Sequence, residues 1–240
     1  MGAAAFVVLA GGSGTRVGAG RNKVYLPVAG RPVISWSLAW ATEVAEVGRV
    51  VLVIRPEDDE AAAEAVAAAG LTGRAEVVTG GRTRHRSEQA ALDHLAEPIR
   101  AGAIEVVVIH DGARPLAGPD LLRQVIQAAA AHGGAVPTLL EERAWTVDAA
   151  GRLEPPRTGQ ARHRVQTPQA FRAAALLDAY AAALRNGTEG TDTSAAFEGQ
   201  AGVDAGVNVV SVPGHSDNLK VTFAEDLLQV TKLLTAQALT

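Results

Sequence analysis

The chain has 240 residues, a length that suits one well-packed α/β domain and is short for two. Its net charge of −4 gives no overall basic field that would attract nucleic acid or an anionic membrane. It contains no cysteine, which excludes disulfides, thiolate metal sites and thiol catalysis. The apolar N-terminal run is about nine residues long, too short to span a membrane, and a glycine-rich loop follows it. We therefore expect a cytoplasmic protein with no nucleic acid or membrane partner.

Short apolar runs alternate with alanine-rich helical stretches along the chain. The runs are nearly continuous in Val, Ile and Leu, as expected for strands that are covered on both faces. The alternation predicts a doubly wound, mostly parallel sheet, a Rossmann-like α/β fold that binds ligands at the carboxyl ends of its strands. The predicted strands are residues 5–10, 50–54, 75–79, 105–109, 135–139 and 207–212, and the predicted helices are residues 31–47, 57–69, 120–131 and 172–185, with a last helix from residue 223.

Two local features add detail to this pattern. Thr222 and Glu225 have the spacing of a capping box at the start of the last helix. Two short extended runs, at residues 144–147 and 152–154, flank the turn-forming sequence Asp148-Ala149-Ala150-Gly151. We interpret them as a β-hairpin arm at about residues 140–160, projecting from one domain that spans residues 1–240. An irregular surface loop is the alternative.

The first strand leads directly into the sequence Gly11-Gly12-Ser13-Gly14-Thr15-Arg16. Successive glycines let backbone N–H groups surround phosphate oxygens where a Cβ would obstruct them. Arg16 adds a permanently charged guanidinium, and Lys23 adds a second cation. The loop lacks both the Gly-Lys-Ser/Thr ending of a P-loop and the final glycine of the dinucleotide fingerprint. It predicts a phosphate-binding loop of another kind, with a glycine-rich turn that binds nothing as the alternative.

A second candidate segment, His110-Asp111-Gly112-Ala113-Arg114-Pro115, ends the most apolar predicted strand. Its position places Asp111 at the edge of the sheet where ligands bind. A carboxylate there suits Mg²⁺, which prefers oxygen ligands and is usually shared with substrate phosphates. Arg114 either clamps a phosphate or forms a structural pair with Asp111.

Two further segments carry basic residues. Gly80-Gly81 and the basic run that ends at Ser87 follow the third predicted strand, which favours a nucleotide contact over a solvated surface. Lys220 precedes the last helix, a position that by itself is typical of surface lysines.

In this order, the segments resemble the 2-C-methyl-D-erythritol 4-phosphate cytidylyltransferase family over residues 5 to about 234. The glycine-rich loop looks like the family's Ala-Ala-Gly-x-Gly-x-Arg. The sequence Asn22-Lys23-Val24-Tyr25-Leu26 is similar to Pro-Lys-Gln-Tyr/Phe-Leu, with the lysine kept and the proline and glutamine replaced. The family's Gly-Gly-x-x-Arg-x-x-Ser, Gln-Thr-Pro-Gln-x-Phe, Thr-Asp and Asn-Ile-Lys-Val/Ile-Thr are matched at residues 80–87, 166–171, 191–192 and 218–222. Its His-Asp-Ala-Ala-Arg-Pro is matched at residues 110–115 with one change, Gly112 in place of alanine.

The resemblance implies a nucleotidyltransferase fold with a β-arm that swaps across a homodimer, and a Mg²⁺-dependent reaction. A phosphate oxygen of a polyol phosphate attacks the α-phosphorus of CTP and pyrophosphate leaves, with no general base because the attacking phosphate is already anionic. The resemblance assigns catalysis to Arg16, Lys23 and Lys220, nucleotide binding to Ala10, Gly11, Gly12, Gly14, Gly81, Ser87 and Asp111, metal binding to Asp111, and acceptor binding to Arg114, Arg143, Arg157, Thr167, Thr191 and Asp192.

The acceptor half of the predicted site departs from the family pattern. Arg143 stands where the family has a threonine, and Gly159 stands where it has an arginine. Methylerythritol phosphate remains the main expectation for the acceptor. Ribitol 5-phosphate, another sugar phosphate or a phosphonate are alternatives, because a site built on polar contacts discriminates strongly once they move. A sugar-1-phosphate nucleotidyltransferase and a non-catalytic nucleotide-binding regulator are the remaining alternatives.

Overall fold

A mixed eight-stranded sheet lies at the centre of the protein, whose computed structural model describes residues 3–12, 22–141, 146–147, 150, 152–154, 162–189, 193–194, 197 and 208–237. The strands in chain order are β1 (Ala3–Leu9), β2 (Pro27–Val28), β3 (Arg31–Pro32), β4 (Val47–Ile54), β5 (Ala75–Thr79), β6 (Ile104–Asp111), β7 (Gly133–Glu141), β8 (Thr146–Val147), β9 (Leu153–Glu154), β10 (Arg162–Val165), β11 (Gln169–Arg172) and β12 (Asn208–Pro213). The helices are α1 (Val33–Ala39), α2 (Asp59–Ala68), α3 (Arg84–Arg100), α4 (Gly118–His132), α5 (Ala173–Asn186) and α6 (Ala224–Gln237).

The order of strands in the large sheet is β10-β7-β11-β6-β1-β4-β5, with β12 also paired to β7. Strand β1 runs parallel to both β4 and β6, and β4 runs parallel to β5. Strand β11 is antiparallel to β6 and β7 and separates them, while β10 is antiparallel to the end of β7. The predicted doubly wound, mostly parallel sheet is therefore confirmed, with two antiparallel strands that the sequence pattern did not predict.

The alternation of side chains along β1 divides the core into two layers. Phe6 and Val8 face the layer that α1, α2, α4 and α6 cover. Val7 and Leu9 face the layer that α3 and α5 cover. All four side chains are at least nine-tenths buried, so both faces of the sheet are sealed, as the continuous apolar run predicted.

The predicted helix at residues 31–47 is shorter than expected. The N–H of Val33 donates to the carbonyl of Leu26 (3.0 Å), which lies outside the helix, so α1 begins only there. A single 3-10 turn, Trp40–Thr42, follows α1, and β4 begins at Val47. The predicted boundaries were wrong at both ends, because this bond ties the start of the segment to Leu26 and the α-helix gives way to a 3-10 turn at Trp40.

The start of the last helix also differs in detail from the prediction. Asp226 accepts hydrogen bonds from the N–H groups of Thr222 (2.7 Å) and Phe223 (2.8 Å). The Thr222 hydroxyl donates instead to the carbonyl of Lys220 (3.1 Å). The start of the helix is therefore capped by the side chain of Asp226 and not by the predicted Glu225.

The two short strands of the predicted hairpin pair as β8 and β9, antiparallel, with Thr146 opposite Glu154. The rest of the predicted arm, at residues 142–145, 148–149, 151 and 155–161, lies outside the described residues. Across the described ranges, no helix combines the length and the apolar character that a membrane crossing requires.

Gly112 fixes the position of the chain just after β6. Its N–H donates to the carbonyl of Leu9 (3.0 Å), which ties the end of β6 to the end of β1. A Cβ at this position would lie 2.5 Å from Cδ1 of Ile34 and 2.9 Å from the Leu9 carbonyl oxygen. The family pattern has alanine at this position. In this chain, Ile34 occupies the space that the methyl group of an alanine would need.

We expect Gly112→Ala to destabilise the protein by about 1–3 kcal/mol, the usual cost of overpacking. Ile34→Val removes the nearest clashing atom, so the double variant should be more stable than the sum of the two single changes predicts. Urea unfolding of the three variants measures the free energies. Strict additivity would contradict the proposed contact.

Candidate active site

Four segments meet at the carboxyl edge of the sheet. Leu9 pairs with Asp111 across β1 and β6, so the glycines that follow β1 lie beside the end of β6. The N–H of Gly80 donates to the carbonyl of Ile54 (2.8 Å), which places the Gly80-Gly81 turn at the same edge. Together with the chain after β12, they enclose a cavity of about 340 Å³. The cavity is lined by Leu9, Gly11, Gly12, Lys23, Val24, Arg82, Thr83, Arg84, Ser87, Asp111, Gly112, Ala113, Lys220 and Thr222.

The described lining of this cavity is strongly cationic although the chain as a whole is acidic. Four basic side chains, Lys23, Arg82, Arg84 and Lys220, stand against a single carboxylate, Asp111. Such a concentration of one sign of charge in a cleft attracts anions of the opposite sign. A triphosphate is the type of ligand that this lining favours.

Asp111 lies at the floor of the cavity and is only 7% exposed. The guanidinium of Arg84 contacts Oδ1, Nζ of Lys220 lies 2.7 Å from Oδ2, and Nε of Arg114 lies 3.7 Å from Oδ2. Burial alone would raise the pKa of Asp111, but the three cations outweigh it and hold that pKa well below the usual range. The carboxylate is therefore a permanent anion around which the basic groups are arranged.

A buried chain of hydrogen bonds supports Asp111 from below. Its N–H donates to Oγ1 of Thr167 (3.0 Å), and Thr167 Oγ1 lies 3.1 Å from Nδ1 of His110. Nε2 of His110 lies 3.1 Å from the carbonyl oxygen of Arg114, which can only accept, so Nε2 carries the proton and Nδ1 accepts from Thr167. Burial lowers the pKa of His110 to about 3, which keeps this arrangement neutral.

Arg84 is held between two carboxylates at the start of α3. Its Nε lies 2.9 Å from Oε1 of Glu88, one turn along the helix, while its other end reaches Asp111. Burial alone would lower the pKa of Arg84, but the charges of Asp111 and Glu88 outweigh burial and raise that pKa above its usual value. Glu88 is itself buried and accepts hydrogen bonds from the hydroxyls of Thr193 (2.8 Å) and Tyr180. The guanidinium is therefore fixed in one orientation.

Lys220 is positioned by hydrogen bonds of the residues on either side of it. The carbonyl of Asn218 accepts from Nη1 of Arg114 (2.8 Å), and Nδ2 of Asn218 donates to the carbonyl of Thr167 (3.0 Å). The N–H of Val221 donates to the carbonyl of Ala113 (2.8 Å). Two motifs far apart in the sequence, residues 166–169 and 218–222, thus interlock beneath the site and direct Lys220 onto Asp111.

The structure brings together most of the described residues that the sequence predicted. Gly11, Gly12, Lys23, Ser87, Asp111 and Lys220 line the cavity. Ala10, Thr167 and Arg114 do not line it. Ala10 and Thr167 are buried, and Arg114 forms an ion pair with Asp111 and donates a hydrogen bond to the carbonyl of Asn218. Gly81 lines a neighbouring hollow, and its N–H donates to Oγ of Ser87 (3.2 Å). The predicted residues Gly14, Arg16, Arg143, Arg157, Thr191 and Asp192 lie outside the described residues.

Arg84 is the main site residue that the sequence analysis did not single out. It lay within a basic run that was treated as a whole, and α3 was not predicted. The buried stripe of α3 includes the polar side chains of His85, Ser87 and Glu88, which interrupt the apolar pattern of a helix. The usable signal was the spacing of Arg84 and Glu88, four residues apart at a helix start.

Comparison with known proteins identifies the relatives of this chain. The family model described as "IspD: 2-C-methyl-D-erythritol 4-phosphate cytidylyltransferase" matches residues 4–236. The 2-C-methyl-D-erythritol 4-phosphate cytidylyltransferase of Cereibacter sphaeroides is 38% identical over 98% of each chain. A "Bifunctional enzyme IspD/IspF" of Rhodopseudomonas palustris is 40% identical over 97% of this chain and 55% of its own length.

A solved structure shows the same fold. The 4-diphosphocytidyl-2C-methyl-D-erythritol synthase of Anaerococcus prevotii superposes with a TM-score of 0.82 at 24% identity, over 98% of this chain and 96% of that chain.

The depressed pKa of His110 predicts a pH dependence of stability. The folded side chain stays neutral down to about pH 3, whereas the unfolded side chain protonates below about 6.5. Between these values the unfolded state binds the extra proton, so the free energy of unfolding falls as the pH falls. In the non-titrating variant His110→Gln, the free energy of unfolding should fall by about 1.4 kcal/mol less per pH unit below pH 6 than in the wild type. Urea unfolding at pH 7, 6 and 5 measures both slopes, and parallel curves would contradict the neutral buried histidine.

Proposed function

This chain belongs to the 2-C-methyl-D-erythritol 4-phosphate cytidylyltransferase family and is a CTP-dependent nucleotidyltransferase, and we propose that the cationic cavity at the sheet edge is its active site. The enzyme transfers CMP from CTP to 2-C-methyl-D-erythritol 4-phosphate and releases pyrophosphate. The observation that carries the assignment of the site is the group of basic side chains held around the buried Asp111 carboxylate.

The reaction itself makes electrostatic demands that this cavity meets. An oxygen of the acceptor phosphate forms a bond to the α-phosphorus of CTP, while the bond from that phosphorus to the bridging oxygen breaks and pyrophosphate leaves with the electron pair. Both reactants are anions, so the main task of the protein is to position them and to neutralise charge. The acceptor phosphate needs no general base because it is already ionised.

The described residues suggest how the nucleotide is oriented. The exposed backbone of Gly11 and Gly12 lies at the end of β1, where its N–H groups can cradle phosphate oxygens. Lys23 stands on the same wall of the cavity and is assigned to the leaving pyrophosphate. Gly81 and Ser87 form the neighbouring turn, with Ser87 Oγ close to Gly11, and we assign this turn to the base. We assign Gly14 and Arg16 to the triphosphate as well, on the basis of the resemblance alone.

Asp111 and Lys220 form the pair that we place at the reacting phosphorus. Lys220 is the more exposed partner, with 43% of its side chain accessible, so it can reach a substrate without leaving Asp111. Asp111 keeps Lys220 and Arg84 close together when the cavity holds no anion. Fixed charges of this kind stabilise a transition state without a cost of reorganisation at the moment of reaction.

Nucleotidyltransferases generally use a divalent metal, and we propose that Mg²⁺ serves here. Across the described part of the chain, no cluster of three or more His, Cys, Asp or Glu side chains could hold a metal alone. One carboxylate facing a triphosphate site fits Mg²⁺, which commonly takes most of its other ligands from water and phosphate oxygens. Asp111 would hold the ion, which when bound neutralises phosphate charge.

The acceptor side rests on fewer described contacts. Thr193, two residues after Thr191, donates to the Glu88 that holds Arg84. The assignment of Thr191, Asp192, Arg143 and Arg157 to the acceptor rests on the resemblance alone. Thr167 and Arg114 support Asp111 from below, so we now propose that they position the site rather than contact the acceptor.

The named relatives support methylerythritol phosphate as the acceptor. None of them supports ribitol 5-phosphate, a sugar 1-phosphate or a regulatory role. The homodimer and the cytoplasmic location stay predictions, and the pairing of β8 with β9 supports only the hairpin of the arm.

The test is pyrophosphate release from CTP and Mg²⁺, with methylerythritol 4-phosphate and ribitol 5-phosphate as parallel acceptors. We expect turnover with the first, and a loss of about 10²-fold or more in kcat/KM for Lys220→Met, because one stabilising cation disappears. Lys232→Met, an exposed lysine on α6, is the matched control and should keep full activity. Turnover with ribitol 5-phosphate alone would contradict the proposed acceptor, and an active Lys220→Met would contradict the proposed site.

A further inference from the structure

Asn22 is a fully buried amide directly before Lys23. Its Nδ2 donates two hydrogen bonds, one to the carbonyl of Ala10 (2.5 Å) and one to Oδ2 of Asp58 (3.0 Å). Its Oδ1 accepts from the N–H of Val24 (3.4 Å) and so caps the 3-10 turn Lys23–Tyr25. Both donors and the acceptor of the side chain are therefore engaged.

Asp58 gives this amide a fixed anchor. Nε and Nη2 of Arg55 bind its two carboxylate oxygens at 2.9 and 2.8 Å, and its own N–H donates to the carbonyl of Arg55 (3.0 Å). Burial alone would raise the pKa of Asp58, but the hydrogen bonds from Arg55 and Asn22 bring it below its usual value. The carboxylate is thus charged and immobile in the turn between β4 and α2.

The bond between Asn22 and Ala10 joins the two ends of the predicted phosphate loop. Ala10 is the last residue before Gly11, and its N–H is held by the carbonyl of Val53 (2.8 Å). Asn22 comes immediately before Lys23. Residues 11–21, which lie between them in sequence, include all the glycines and the arginine assigned to the triphosphate. One side chain therefore fixes where this loop leaves the sheet and where it returns.

We propose that Asn22 is a positioning residue that clasps the two ends of the phosphate loop and thereby sets Gly11, Gly12 and Lys23 for CTP. The proposal rests on the proposed function only in naming CTP as the ligand of the cavity. Groups that are fixed before binding lose less conformational freedom when the nucleotide arrives, so holding Gly11, Gly12 and Lys23 in place increases affinity. Asn22 acts through its neighbours and does not line the cavity.

The backbone at Asn22 provides a way to separate the clasp from local stiffness. Its φ is −61°, which is the value that a proline ring imposes, and the family pattern has proline at this position. Asn22→Pro would keep this backbone angle but remove all three side-chain hydrogen bonds. If only the local backbone mattered, the proline variant would bind CTP normally.

The experiment is isothermal titration of the full chain with CTP and Mg²⁺, without acceptor, followed by steady-state kinetics. We expect Asn22→Ala and Asn22→Pro each to raise the Kd for CTP about tenfold, a factor that corresponds to about 1.4 kcal/mol. The KM for CTP should rise in parallel, while the KM for the acceptor stays within about twofold. Asn22→Ser, whose side chain has one donor in place of two, should give a Kd for CTP between those of these variants and the wild type. It takes their place in the comparison if they fold poorly.

Ile126→Val is the control for a general loss of stability, because Ile126 is buried on α4 and is not among the residues that line the cavity. It should lower the Tm without changing the Kd for CTP. Normal CTP binding by Asn22→Ala or Asn22→Pro would overturn the clasp. If the wild type bound CTP but did not use methylerythritol 4-phosphate, the proposed acceptor would fail while the binding comparison still decided the role of Asn22.

Discussion

The buried carboxylate of Asp111 is the interaction on which the rest of the site depends. A charge taken out of water is costly unless it is paired, and this one is paired with three cations from three parts of the chain. Arg84 comes from the start of α3, Arg114 from the turn after β6, and Lys220 from the segment before α6. The carboxylate therefore brings together, in a folded protein of net negative charge, the basic groups that a nucleotide needs.

The surrounding structure keeps that carboxylate in place by neutral hydrogen bonds. The parallel pairing of β1 and β6 sets its height at the sheet edge, and Gly112 closes the turn behind it. His110 and Thr167 fix its backbone N–H without adding charge, since burial keeps the histidine neutral. The same logic recurs beneath the start of the proposed phosphate loop, where Asp58 anchors Asn22 and Asn22 bonds to Ala10. In both places one buried acid orients the groups that pack against it.

The strands and the position of the site could be predicted from the sequence, because the local sequence pattern agrees with the structure that each segment adopts. The apolar runs gave the parallel strands, and the glycines and acids at their ends gave the edge where the site lies. The antiparallel β11 was missed because its residues had been assigned to a motif, and β10 because its four residues are exposed and give no burial signal. Asn22 was missed because its role depends on Asp58, 36 residues away, which no local pattern reveals. Arg84 was missed because Asp111 is 27 residues away and because α3, which brings Arg84 next to Glu88, was not predicted.

The most direct test of this account is a double-mutant cycle between Asp111 and Arg84, measured by urea unfolding. The account predicts that Asp111→Asn and Arg84→Gln each cost about 3 kcal/mol or more, because each leaves a buried charge without its nearest partner. The double variant should cost at least about 1 kcal/mol less than the sum, since neither of the two charges is then left unpaired by the loss of the other. Additive costs would contradict the claim that the buried carboxylate organises the cations of the site.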